Sequence, residues 1–150
     1  MSYFFMLLLS LHSVWRWIVL LAVLIAIVKA AMGWFGKQAW TDLDTRISGY
    51  YPTSFAIQFV LGLILYAGAL ANSYTPIRYL PPSNVLLRLS TEHVLMMFIA
   101  LGIAGVTRAR MKKAGNDTAK HRTITIGFAI SLILVIVAIP MGSWGFNWYA

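Results

Sequence analysis

Four runs of mainly apolar residues, joined by short polar connections, constrain this chain more tightly than any motif in it. A bilayer core takes about 20 such residues per helix, and runs of that length occupy approximately 14–35, 48–70, 87–107 and 122–141 of the 150 residues. The composition agrees: 60% of residues are hydrophobic and 11% charged, against about 25% charged in a soluble domain. The predicted fold is all-α, a single integral membrane domain over residues 1–150 built as an up-down-up-down four-helix bundle. The runs leave no room between them for a soluble domain.

The first apolar run starts as early as Tyr3. Trp15-Arg16-Trp17 places a charge between aromatics, the mark of a membrane interface, so residues 2–13 are expected either to extend the helix or to lie along the bilayer surface. Without a basic n-region or a small-residue cleavage pattern, the run reads as a retained span rather than a leader. Lys and Arg set the orientation. Arg108, Arg110, Lys112, Lys113, Lys120 and Arg122 fall between the third and fourth runs, and Lys29, Lys37 and Arg46 between the first and second, against Arg16, Arg78 and Arg88 on the other side. Cytoplasmic loops keep positive charge, which predicts a multi-pass protein of a bacterial inner membrane with both termini on the outer side.

The same distribution explains the net charge of +8 as a solvated topology signal compatible with anionic lipid head groups, and nucleic acid has no part in it. Ala114-Gly115-Asn116-Asp117 reads as a turn with Asp117 capping helix four. Pro76, Pro81 and Pro82 interrupt the outer loop, which is expected to form a short lid. The tail from Trp144 to Tyr149 reads as an aromatic belt.

No cysteine is present, which removes disulfides, thiolate metal sites and iron–sulfur clusters. Gly-rich phosphate loops, H-E-x-x-H and nucleophile elbows are absent, and Asp42 and Asp44 read as helix-start or solubility residues. Hydrolytic chemistry is therefore not expected. Ionisable groups within spans are costly and face the bundle or a cavity. They are His12, Arg16, Glu92 and His93, with Gln58 as an uncharged case read as an interhelical hydrogen-bonding residue. His121, in Lys120-His121-Arg122, reads as a surface histidine.

His12 and His93 begin helices one and three, so both imidazoles lie toward one leaflet. A b-type haem needs two neutral imidazoles from facing helices, small residues beside the ring and cations near the propionates. His12 and His93 would be the metal ligands, Arg16 and Arg88 the propionate partners, and Glu92 a residue that orients an imidazole or carries a proton toward a quinone. Ala22, Ala26 and Ala30 on helix one, with Gly62, Ala100, Ala104 and Gly105, permit close helix approach and equally leave space for a flat cofactor. The competing reading is an Arg16–Glu92 ion pair tying helix one to helix three, with the histidines as interfacial hydrogen-bonding groups.

The stretches Leu11-His12-Ser13-Val14-Trp15-Arg16-Trp17, Gln58 to Tyr66 and Glu92-His93-Val94-Leu95-Met96-Met97, with Lys120-His121-Arg122 and Ala138-Ile139-Pro140, occur in this order. Together they resemble a group of small bacterial four-helix membrane proteins labelled cytochrome b, related to di-haem cytochromes. In that group a histidine commonly precedes the helix-two glutamine by two places, where this sequence has Ala56. With position 56 taken to lie near His121, the resemblance implies two imidazole pairs, of which only the outer one, His12 with His93, can form here. It implies one haem b and electron transfer between a quinone and a partner in a larger membrane redox complex, or within a homo-oligomer. A different class, a cofactor-free accessory subunit of a respiratory or photosynthetic membrane complex, needs only the helix faces and aromatic ends.

Overall fold

The computed structural model describes residues 3–71 and 92–139. They form four α-helices, α1 (Tyr3–Phe35), α2 (Asp42–Leu70), α3 (His93–Lys112) and α4 (Asp117–Ala138), with no strand among the described residues. All four are long and apolar enough to cross a membrane, the pattern of a multi-pass membrane protein. Each of α1 and α3 packs against both α2 and α4, so α1 faces α3, and α2 faces α4, across the diagonals of an all-α bundle. The α1–α2 and α3–α4 connections share one end, here the turn end. The opposite end, the His12 end, carries the beginnings of α1 and α3. The proposed lid with its prolines, Arg78, Arg88 and the aromatic tail lie outside the described residues.

Bulky apolar residues cover the outer faces, while small and polar ones share the interior with large side chains such as Tyr51, Phe55 and Phe128. Leu21, Leu24, Ile25 and Val28 of α1, Ile57 and Val60 of α2, Phe98 and Val106 of α3, and Ile133 and Val137 of α4 are exposed. Ala26, Ala30, Ala100, Ala104, Ser48, Ser54 and Ser131 are buried. Lipid is as apolar as a protein core, so small side chains that let backbones approach are the interior solution in a bilayer. The predicted small-residue seams agree except at Gly105, which is exposed and has open space where a Cβ would stand. α3 approaches α4 closely where Thr107 lies against Gly127, and an added Cβ there would overlap the threonine side chain.

α1 is one helix of 33 residues, about 50 Å long against a hydrocarbon core of about 30 Å. Its first turns neither stop at the Trp-Arg-Trp sequence nor leave the helix. Leu8 is buried against Leu65 of α2, with Phe5, Leu9 and Leu61 around them. Trp15 ties α1 to α2 by donating its indole N–H to the Ser54 carbonyl at 2.9 Å, and Arg16 is buried, 9% exposed. The aromatic–charge–aromatic pattern marks an internal seam here, because an apolar partner helix continues beside it.

At mid-bundle a buried chain of hydrogen bonds joins three helices. Ser131 of α4 donates to the Ala100 carbonyl of α3 at 2.8 Å, and its hydroxyl meets the Tyr51 hydroxyl of α2 at 2.6 Å. With Ser131 already donating, Tyr51 is the donor of the second bond. Ser131→Ala leaves the Tyr51 hydroxyl without a partner at a site with no exposure, and is expected to lower stability by about 1–3 kcal/mol. Denaturant unfolding in micelles measures it, and an unchanged midpoint would show the bonds to be neutral.

Local chemistry sets the helix ends at the turn end. α1 closes through Lys37 at φ 49°, with Gln38 N–H bonding the Gly33 carbonyl and Lys37 N–H the Trp34 carbonyl, a Schellman arrangement. α2 opens on a capping box. The Asp44 carboxylate accepts from the Thr41 N–H at 2.9 Å, and the Asp44 N–H donates to Thr41 Oγ1 at 3.3 Å. Asp44, 3% exposed, also pairs with Lys29 at 2.9 Å, so Lys29 belongs to a helix and an ion pair rather than to a loop. α4 is capped by Asn116, whose side chain accepts from Ala119 N–H at 2.8 Å. The expected cap, Asp117, is the first helical residue and pairs with Lys120 at 3.0 Å.

Candidate functional site

The chemistry-bearing residues of the His12 end come from all four helices. His12 lies nine residues inside α1 rather than at its start, whereas His93 is the first residue of α3. The two project from diagonally opposed helices and lie within electrostatic reach of one another and of Arg16. Arg16 sits one helical turn farther along α1, with its guanidinium carbon 5.3 Å from the centre of the Trp17 ring. Glu92, immediately before His93, is exposed.

Each imidazole has a distinct setting. His93 Nδ1 is 2.9 Å from the Ala138 carbonyl. A carbonyl only accepts, so Nδ1 carries the proton and the lone pair stays on Nε2. That carbonyl belongs to the last turn of α4, where helix geometry supplies no intrahelical donor. His12 rests on Gly62 of α2, where a Cβ would stand 3.0 Å from the ring's Cε1. Its Nδ1 is buried without a hydrogen-bond partner. Gln58 of α2 donates its side-chain amide to the His12 backbone carbonyl at 2.8 Å, the interhelical role expected of it.

What these donors offer a metal is a pair of imidazoles rather than a complete side-chain site. A metal held by side chains alone needs three or more ligands, and no such group of His, Cys, Asp or Glu occurs among the described residues. An iron already held by a porphyrin needs only an axial pair. The pair here has one ring fixed with Nε2 available, by the backbone-carbonyl bond typical of ligating histidines. The other ring has an unsatisfied nitrogen and a glycine in place of a side chain.

At the turn end the structure overturns one expectation. His121 has no exposure at all. Its ring lies on Gly33 of α1, where an added Cβ would overlap it, and packs against Trp40 with ring centres 4.8 Å apart. Lys120 and Arg122 turn toward solvent because neighbours on a helix point about 100° apart. His121 shares its face with Ile124, Phe128 and Ser131, all buried, and that spacing was the signal that could have placed it inside. Both its ring nitrogens are buried without a partner. Position 56 is not beside it. Tyr51 is level with Ser131, and the exposed Ala56 lies farther on, on the order of 20 Å from His121 along the bundle.

No family model, curated protein or solved structure matches the chain. The reading of the His12 end therefore rests on its own geometry.

Proposed function

We propose that this chain is a b-type cytochrome-like electron-transfer protein of the membrane, binding one haem between His12 and His93. The observation that carries the reading is the pair of imidazoles on diagonally opposed helices at one end, with the His93 ring held by the Ala138 carbonyl so that Nε2 is its free lone pair. Arg16, buried one turn from His12, is the described cation suited to a propionate. Gly62 keeps the His12 side of α2 clear of a side chain. A haem bound here supplies one-electron chemistry, and the axial ligands and the low-dielectric surroundings set its potential.

In this reading the turn end, with its lysines and arginines, lies in the cytoplasm and the His12 end at the outer face of a bacterial inner membrane. One haem near one face does not carry an electron across the bilayer by itself, so the partners are a quinone at that face and a larger membrane redox complex. The experiment is a reduced-minus-oxidised visible spectrum of the full chain purified from haem-replete cells, with a haem-to-protein ratio. A sharp α band at about one haem per chain is the expected result for bis-imidazole ligation.

A second reading, a cofactor-free accessory subunit, draws on the tight mid-bundle packing. Tyr51, Ala100, Ala104 and Phe128 have no exposure. It predicts a purified protein with no visible absorption.

A further inference from the structure

The turn end holds a feature that electron transfer does not use. Where α2 and α3 pack together, Gly49 leaves a notch and Arg108 of α3 lays its guanidinium into it. A Cβ at Gly49 would stand 2.8 Å from Arg108 Nη2 and 3.2 Å from Cζ. Arg108 is half-buried, and its Nε is buried with no hydrogen-bond partner. Arg46 lies three residues before Gly49, and Lys112 four residues after Arg108. Those spacings set each on the same side of its helix as the notch, nearer the turn end, and both are exposed.

None of these three cations forms an ion pair with a carboxylate among the described residues, although Asp42 lies one turn before Arg46 on the same side of α2. Of the chain's four acidic residues, Asp44 pairs with Lys29 and Asp117 with Lys120. Glu92 stands at the opposite end of the bundle, at the start of α3. Asp42, exposed one turn before Arg46, makes no ion pair. A partly desolvated guanidinium without an anion is unfavourable, and its planar fork matches phosphate oxygens. Beside the notch the surface of α2 turns apolar, with exposed Tyr50 and Ile57. A ligand with a phosphate and a hydrocarbon tail satisfies both halves.

We propose that the α2–α3 groove binds the phosphate of an anionic phospholipid, with Arg108 as the fork, Arg46 and Lys112 flanking it, and the acyl chains running along Tyr50 and Ile57. Basic grooves between membrane helices are the usual seats of such head groups. The site is independent of the histidine pair and stands whether or not haem is bound.

The test is thermal unfolding of the full chain in micelles doped with phosphatidylglycerol, with phosphatidylcholine, or with inorganic phosphate. Phosphatidylglycerol is expected to raise the midpoint by about 4 °C over phosphatidylcholine. R108Q is expected to abolish that difference, while R110Q, with the same net charge but on the other side of α3, keeps it. Should R108Q fail to fold, the double variant R46Q/K112Q reads the same groove. Equal midpoints in the two lipids, a preference that survives R108Q, or a loss shared by R110Q would each overturn the site. Inorganic phosphate matching the lipid would overturn it too, in favour of a free-anion site.

Discussion

Replacing His93 by Ala is expected, on the proposed haem reading, to take the haem-to-protein ratio from about one per chain to near zero and to erase the α band. On the proposed reading the effect is all-or-none because the substitution would remove one of the two ligating imidazoles and, with it, the contact that joins α3 to the end of α4 at the Ala138 carbonyl. His12→Ala is expected to do the same from the opposite side. His121→Ala is expected to leave the ratio unchanged, since that ring packs at the turn end against Gly33 and Trp40. Haem retained at full stoichiometry by the His93 variant would sink the ligand assignment. Loss from the His121 variant with its helix content intact would move the site to the other end of the bundle.

Gly33→Ala is expected to be among the most damaging single-methyl changes in the described bundle, lowering stability by about 3 kcal/mol, the upper range for overpacking. The added Cβ falls on the His121 imidazole, and that ring has no room to retreat, being wholly buried beneath Trp40. His121→Ala should relieve the clash, so the double variant is expected to be more stable than the sum of the single changes predicts, with a coupling of about 1–3 kcal/mol. Denaturant unfolding of the four proteins in one micelle system closes the cycle. Additive effects would mean that the two helices part rather than resist.

The apolar runs made the number and order of helices legible, because in lipid a helix is the form in which one continuous segment satisfies its own backbone. The ends were less so. Hydropathy falls where charged residues begin, yet helical hydrogen bonding continues past them. α2 therefore starts at its Thr41–Asp44 capping box rather than at residue 48, and α3 continues through Arg108 and Arg110 to Lys112. α1 runs back to Tyr3 because Leu8 has Leu65 to pack against, and a partner's position is not written in a local pattern. His12, His93 and Gln58 stood out as polar residues within apolar runs. His121 was hidden by its cationic neighbours, and only its register with Ile124 and Phe128 betrays it. The Gly49–Arg108 notch needed two helices placed side by side, which no single-segment pattern encodes.

The short connections make two helical hairpins, α1 with α2 and α3 with α4, and each is closed by its own local contacts: Trp15 to Ser54 and Lys29 to Asp44 in the first, Ser131 to Ala100 in the second. The functional groups divide otherwise. His12 belongs to one hairpin and His93 to the other, as do Gly33 and His121, Tyr51 and Ser131, and Gly49 and Arg108. Every candidate site in this molecule is thus a seam between halves. Two fragments separated between Ala71 and Glu92 would each carry half of every site, and only their reassociation would restore ligand binding, which makes binding itself a report of assembly.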